Sequence, residues 1–136
     1  MKDLKTITIL FRATNAMEAM IKEDVSTYQL NPTEFGVLEA LYHLGPLNVQ
    51  EIVNKVLIAN SSMSYVLDEL EKKQCIQRNK DIHDARVRKV SLTNQGVTLM
   101  DDVYPSHVQT LRKRLNRLSN EEELLLQHLL KKIGIA

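Results

Sequence analysis

The sequence of 136 residues predicts a mainly α-helical fold with one small β-hairpin. Apolar side chains recur at helical spacing along most of the chain. Residues 75–80 and 87–93 instead have the pattern of two strands, because apolar and polar side chains alternate in the second segment. Four glycines and three prolines argue against disorder and against a loop-rich β protein. Two short helices followed by a hairpin indicate a winged helix-turn-helix, with further helices at both ends.

The first two helices are predicted from apolar spacing and from a capping signal. A long first helix covers residues 6–28. The second helix begins after Asn31, with Pro32 at its first position and Glu34 as the partner in a capping box. It ends at Gly45, which precedes a proline.

The third and fourth helices form the helix-turn-helix. The third covers about residues 48–57, and the fourth covers residues 61–74. Helical spacing predicts that one face of the fourth helix is buried, and this face consists of Met63, Val66, Leu67 and Leu70.

A projecting hairpin and two helices complete the chain. The hairpin turn, residues 81–85, is long enough to extend from the sheet. A fifth helix covers about residues 93–118, with a kink or break expected at Pro105. Ser119 caps a sixth helix, and Glu122 completes its capping box.

The face of the fourth helix opposite its apolar stripe is rich in hydroxyl groups. It carries Ser61, Tyr65, Asp68 and Lys72, with Ser62 and Ser64 beside them. A helix held on a core by one face can present the other face to a DNA groove. The alternative is that the serines only favour a helix start, which explains one serine well and three poorly.

The near-neutral net charge of +1 hides a concentrated basic segment. Residues 72–89 contain seven Lys or Arg and two Asp, so they carry +5 and the rest of the chain carries −4. Such a segment attracts the phosphate backbone, and the alternative is an ordinary solvated hairpin. The predicted DNA contacts are Ser61, Ser62, Ser64, Tyr65, Lys72, Arg86, Arg88 and Lys89.

The chain is expected to form one domain, residues 1–136, with two parts. Residues 30–93 would form the winged helix-turn-helix lobe, and residues 1–29 and 94–136 would form dimerisation helices. The apolar stripes of these outer helices exceed what the lobe can cover, which predicts burial against a second copy of the chain. The alternative is a three-helix cap within one chain.

Several other classes of protein lack support in the sequence. A single cysteine excludes an intrachain disulfide and a cysteine-rich zinc site. The histidines lack metal-site spacing, and His43 and His107 are better explained as partners in core or pocket hydrogen bonds. No nucleophile elbow, phosphate loop or paired-carboxylate motif occurs, so we expect no enzymatic activity and no cofactor. With no membrane span or signal-type cleavage site, we expect a cytoplasmic protein.

The chain resembles the MarR family of bacterial transcription regulators along essentially its whole length. The matching stretches are LNPTEFGVLEALYHLGPLNVQEIVNKVLIANSSMSYVLDELEKK and DIHDARVRKVSLTNQG. The second is the more diagnostic, because the family typically has Asp-x-Arg-Asp-x-Arg in its wing, followed by Leu-Thr and a glycine. Here Asp84, Arg86 and Gly96 match, whereas His83 stands where arginine is usual. Gln74 stands where glycine is common, and a positive φ there would be strained.

The resemblance implies a homodimer in which the first helix and the last two helices of each subunit intertwine. It implies a recognition helix, residues 61–74, in the major groove of a palindromic operator. It also implies that the wing, with Arg86 at its tip, reaches the adjacent minor groove. The start of the second helix further resembles a subgroup that responds to quinones and phenolic compounds.

Three more site predictions accompany the resemblance. A wing arginine would neutralise Asp68, and Arg86, beside Asp84, is the candidate. Cys75 is either an apolar residue at the helix–wing junction or a thiol sensor. A ligand pocket between lobe and dimer helices would include Phe11, Tyr28, Phe35, Tyr42, His43 and Tyr104, unless these residues simply fill the core.

These features together predict a regulator that binds double-stranded DNA sequence-specifically. We expect a repressor that a small aromatic ligand or an electrophile releases from DNA. The alternative is a winged-helix module that binds another protein without ligand control, since the fold serves both purposes. The hydroxyl-rich helix face and the basic hairpin favour DNA.

Overall fold

The computed structural model describes residues 3–56, 62–84 and 86–134. Within these residues, six helices and three short strands confirm the mainly α-helical class with a small hairpin. The helices are α1 (Lys5–Ser26), α2 (Pro32–Leu44), α3 (Val49–Lys55), α4 (Met63–Lys72), α5 (Asn94–Leu115) and α6 (Asn120–Gly134). The strands are β1 (Leu47–Asn48), β2 (Ile76–Lys80) and β3 (Arg88–Leu92).

The starts of α2 and α6 are fixed by the side chains that the sequence marks as caps. Asn31 accepts a hydrogen bond from the Glu34 amide at 2.8 Å, and Glu34 accepts one from the Asn31 amide at 3.0 Å. Ser119 and Glu122 form the same reciprocal pair at 3.1 and 2.8 Å. Both predicted capping boxes are therefore confirmed, and losing such a cap typically costs about 1 kcal/mol.

The wing belongs to a three-stranded antiparallel sheet with the order β1-β3-β2. β2 and β3 form the predicted hairpin, in which Ile76 lies opposite Leu92. The sequence does not predict β1, because two residues between α2 and α3 are too few for an alternating pattern. Leu47 in β1 pairs with Val90 in β3, so this short strand ties the helix-turn-helix to the wing.

Three of the four residues predicted for the buried face of α4 are buried, and the fourth, Met63, is partly buried against the same core. Val66, Leu67 and Leu70 are fully buried and share one core with side chains from α2, the sheet and α5. Burying each of these side chains contributes about 1.5–3 kcal/mol to folding. This packing holds the opposite face of α4 toward solvent.

α5 runs through Pro105 as one helix, so of the kink or break expected there, the break is wrong. Proline lacks the amide hydrogen that would bond the carbonyl four residues earlier, which makes it unfavourable inside a helix. Val103 and His107, on either side of Pro105, are buried, and α5 packs on both α1 and α2. These tertiary contacts outweigh the local cost of the proline.

The turn between α4 and β2 closes through Gln74, which has a φ of 62°. The Gln74 amide donates to the Glu71 carbonyl at 2.9 Å, and the Cys75 amide donates to the Leu70 carbonyl at 3.0 Å, as in a Schellman cap. The strained conformation considered for Gln74 is therefore present. Gly96 packs closely against this turn. A Cβ atom at position 96 would lie 2.1 Å from the Cys75 carbonyl oxygen, so a residue with a side chain would not fit there.

Two helices leave large apolar side chains exposed in the single chain. On α6 these are Leu124, Leu125, Leu126, Leu129, Leu130 and Ile133. Ile7, Ile9 and Phe11 are exposed in the first half of α1. Clustered apolar surface of this kind marks an interaction site. Among the described residues, no helix has the length and hydrophobicity needed to cross a membrane.

Candidate nucleic-acid interface

The solvent-facing side of α4 presents hydroxyl groups. Ser62 is the N-cap residue of α4, but its side chain makes no capping hydrogen bond. Capping therefore does not account for the serine at this position. Ser64 is exposed, and Tyr65 is 60% exposed although it is a large aromatic residue. Ser61, the fourth predicted contact on this face, lies outside the described residues.

Three of the predicted basic contacts lie on α4 and β3. Lys72 pairs with Glu69 at 3.4 Å, and Lys89 lies 3.7 Å from Glu51. Arg88 is exposed. Surface ion pairs of this kind contribute at most about 1 kcal/mol. Lys72 and Lys89 can therefore exchange their carboxylate partners for phosphate groups at little cost.

Two aspartates of the wing turn, Asp81 and Asp84, form hydrogen bonds within the wing. The Asp81 amide donates to the Val87 carbonyl at 2.7 Å, and the Asp84 amide donates to the Asp81 carboxylate at 3.2 Å. Arg86 donates to Asp84 from Nε at 3.1 Å and from Nη2 at 3.2 Å, which lowers the pKa of the Asp84 carboxyl group. The Arg86 side chain is 91% exposed, so the wing carries its charge outward.

Asp68 is paired with Arg78, which corrects the expected pair between Asp68 and Arg86. Arg78 Nη2 donates to Asp68 Oδ1 at 2.5 Å, and Arg78 Nε donates to Glu71 Oε2 at 3.2 Å. The hydrogen bonds with Glu71 and then with Asp68 raise the pKa of the Arg78 guanidinium. Arg86 is not the partner, because its guanidinium binds Asp84 within the wing.

Sequence reasoning missed Arg78, although the alternation in β2 contains the signal for it. Ile76 is buried, so Arg78, two residues later, lies on the same face of the strand as that core residue. This face packs on α4, where Asp68 and Glu71 are located. Arg78 bonds two carboxylates, so its single positive charge offsets part of their negative charge, and it connects α4 to the wing.

A cleft of about 280 Å³ lies between α1, α2, α3 and α5. Phe35 and His107 lie in its wall, and their ring centroids are 4.3 Å apart. His107 Nδ1 lies 2.7 Å from Asp24 Oδ2, which is the kind of contact expected for this histidine. Glu39 and Lys55 are the charged residues that line the cleft. The cleft therefore combines apolar and aromatic surface with a few polar groups, as ligand sites commonly do.

The six predicted pocket residues do not form one wall. Phe35 lines the cleft, whereas the other five do not. Tyr28 packs against the core, and Phe11 is exposed on α1. Sequence spacing locates aromatic residues near the lobe junction, but it does not determine toward which side of α2 each ring turns.

Tyr42, His43 and Tyr104 form a separate aromatic cluster between α2 and α5. The ring centroids of His43 and Tyr104 are 4.8 Å apart, and those of Tyr42 and Tyr104 are 5.7 Å apart. The Tyr42 hydroxyl donates to Asp101 Oδ1 at 2.6 Å, a hydrogen bond that raises the pKa of Tyr42. This cluster joins α2 to α5 outside the cleft.

Cys75 is 6% exposed at the junction of α4 and the wing. Burial raises the pKa of its thiol, and the nearby Lys73 offsets this effect only in part. A thiol sensor requires a depressed pKa and access to solvent. The surroundings of Cys75 therefore favour its interpretation as an apolar packing residue.

Sequence comparison finds transcription regulators that align along nearly the whole chain. A family model described as the MarR family matches residues 30–87. The HTH-type transcriptional regulator MhqR of Bacillus subtilis (strain 168) is 36% identical over 134 residues, which cover 98% of this chain and 92% of the relative.

Structural comparison finds the same winged-helix fold in solved regulators. Sco3205, a MarR family regulator from Streptomyces coelicolor in complex with DNA, matches with a TM-score of 0.85 and 20% identity over 95% of this chain and 83% of its own. BpsR of Bordetella bronchiseptica, whose DNA binding is regulated by 6-hydroxynicotinic acid, matches with a TM-score of 0.82 and 23% identity over 99% and 95%. The family model and the 36% identical relative, which covers 98% of the chain, show that the chain belongs to the MarR family and is a DNA-binding transcriptional regulator, not an enzyme.

Proposed function

We propose that the protein is a dimeric repressor that binds a palindromic operator and is released from it by a small aromatic ligand or an electrophile. The observation that carries the DNA-binding part is the surface shared by α4 and the wing. Exposed hydroxyl groups lie there beside basic side chains, and Arg78 bonds the carboxylates of Asp68 and Glu71 and offsets part of their negative charge.

The two parts of this surface suit different grooves of one duplex. α4 would enter the major groove with Ser62, Ser64 and Tyr65 toward the base edges. Arg86, at the wing turn, would reach the adjacent minor groove. A narrow minor groove has a strong negative potential, which attracts the arginine side chain. Lys72, Arg88 and Lys89 would contact phosphates and fix the register.

Dimerisation is supported by the apolar side chains that one chain leaves exposed. Leucines occupy more than one side of α6, and apolar residues are exposed at the start of α1. Residues 1–29 and 94–136 would form the dimer helices, and residues 30–93 would form the DNA-binding lobe. A two-fold dimer matches the symmetry of a palindromic operator, with half-sites about 34–36 Å apart.

Arg78→Ala should weaken operator binding by about 1–3 kcal/mol, because Asp68 and Glu71 would be left unpaired beside phosphate. Adding Asp68→Asn and Glu71→Gln should recover part of this loss. The combination of Asp68→Asn with Arg86→Ala should be additive, since these two residues do not pair. Titration of each variant with operator DNA measures these effects. An additive result for Arg78 with Asp68 would contradict their coupling.

Ligand control is supported by the cleft beside Phe35 and His107. Its volume of about 280 Å³ suits a small ring compound, and the ring of Phe35 can pack against an aromatic ligand. BpsR, a protein of the same fold, is regulated by an aromatic acid. To act as an inducer, the ligand must bind the DNA-free arrangement of the dimer more tightly than the DNA-bound one.

Phenol and 1,4-benzoquinone should release operator DNA from the wild-type protein and from Cys75→Ser alike, because a ligand in the cleft does not need the thiol. Anisotropy of a labelled operator measures release, and transcription in vitro should increase in parallel. If Cys75→Ser alone becomes insensitive, the thiol is the sensor and the cleft interpretation is wrong. A lack of response in both proteins would contradict control by phenols and quinones.

A further inference from the structure

The α1–α2 corner, residues 24–35, is attached to two different parts of the protein. Asp24 connects it to α5 through the contact with His107. Lys73, at the C-terminal end of α4, connects it to the recognition helix. Lys73 Nζ donates to Glu34 Oε2 at 2.9 Å and to the Gln29 carbonyl at 3.1 Å. The corner therefore joins α5, one of the proposed dimer helices, to the helix that would read DNA.

Both acceptors of the Lys73 ammonium are held firmly by the corner itself. The Glu34 side chain is 7% exposed, and its second oxygen is engaged by the Asn31 amide. Gln29 has a φ of 63°, and the Leu30 amide closes the turn by donating to the Val25 carbonyl at 3.2 Å. Because both acceptors are themselves held in place, they can fix the position of the Lys73 ammonium group.

The surroundings of Lys73 distinguish it from the basic residues that face solvent. Lys72, its neighbour, has a side chain that is 76% exposed, whereas that of Lys73 is 38% exposed and bonded to two acceptors. An amine engaged in this way is poorly placed to neutralise a phosphate. Its charge instead compensates the buried carboxylate of Glu34.

We infer that Lys73 is a positioning residue for DNA binding: it fixes the C-terminal end of α4 to the α1–α2 corner and thereby sets the separation of the two recognition helices. This inference rests on the proposed dimer on a palindromic operator. α4 has ten residues and is about 15 Å long, so a small rotation about its C-terminal end displaces Ser64 and Tyr65 at its other end. The two helices must still meet half-sites at one fixed spacing.

The test compares Lys73→Met, Glu34→Gln and the double variant on duplexes whose half-sites are separated by different numbers of base pairs. Glu34→Gln keeps an oxygen for the Asn31 amide, so the helix cap is retained. Each single variant should lower the ratio of operator to random-duplex affinity about tenfold and broaden the spacing preference. The double variant should lower this ratio no further than either single variant. Lys73→Arg should restore most of the ratio.

Charge alone predicts a different pattern, because Lys73→Met removes a positive charge and Glu34→Gln removes a negative one. A phosphate contact by Lys73 would change the salt slope by about one unit, and Glu34→Gln would then strengthen binding. The inference predicts an unchanged slope and weaker operator binding in both variants. Glu23→Gln, at an exposed position of α1, is the control and should bind as wild type.

The inference is overturned if both variants keep the wild-type spacing profile and affinity ratio, even if their melting temperatures fall. A purely structural role would give that result. If the wild-type protein itself shows no preferred spacing, the proposed dimeric binding fails, and the inference fails with it. If the wild-type protein has a preferred spacing and both variants share it, the inference about Lys73 is overturned but the proposed dimeric binding is not.

Discussion

Replacing Leu125 and Leu129 together by glutamate should convert the dimer into monomers and abolish tight operator binding. The two side chains are exposed in the single chain and lie one turn apart on α6, so they would face the partner subunit. A monomer engages one half-site, and losing the second removes an avidity of about 10²–10⁴-fold. Analytical ultracentrifugation and an operator titration measure the two effects.

Gln127→Glu is the matched control, because it adds a charge to α6 at an exposed polar position. This variant should remain dimeric and bind operator as the wild-type protein does. Deletion of residues 119–136 should expose the apolar surface of the remaining dimer helices and lead to aggregation. A double-glutamate variant that stays dimeric, or a deletion variant that stays soluble with native stability, would contradict the proposed dimer.

Tyr65→Ala should weaken operator binding by about 1–3 kcal/mol and leave binding to random duplex nearly unchanged. Tyr65 is 60% exposed on α4, where its ring has no core to fill. A side chain in this position can read a base edge or a thymine methyl group. Parallel titrations with operator and random duplex, at one salt concentration, measure the difference.

Two further variants separate the parts of this contact. Tyr65→Phe retains the ring and removes the hydroxyl, so it shows which of the two carries the discrimination. Arg88→Ala is the comparison for a phosphate contact, and it should weaken both duplexes alike and reduce the salt slope by about one unit. Equal losses on both duplexes for Tyr65→Ala would show that Tyr65 reads no base.

Local sequence patterns were sufficient for the elements that depend on local physics. The capping boxes of α2 and α6 are each defined by two side chains three residues apart, and both are present. The buried face of α4 follows from helical periodicity, because a helix packed on one side must bury that side. Such features require no knowledge of the partner element.

Contacts between elements that are distant in the chain could not be predicted from the sequence. Alternation in β2 places Arg78 on the same face as buried Ile76, but the packing of that face on α4, which brings Arg78 and not Arg86 to Asp68, is a contact between separate elements. The continuation of α5 through Pro105 depends on burial of residues from distant elements. Likewise, the division of the aromatic residues between the cleft and the Tyr42 cluster depends on how α2 rotates against α5.

Selection of bound duplexes from a random pool measures DNA binding and identifies the operator in one experiment. We expect enrichment of an inverted repeat whose half-sites lie about one helical turn apart. Tyr65→Ala should reduce this enrichment, whereas Gln127→Glu should not. Recovery of duplexes without a shared sequence, or of a single unpaired half-site, would contradict a sequence-specific dimer on a palindromic operator.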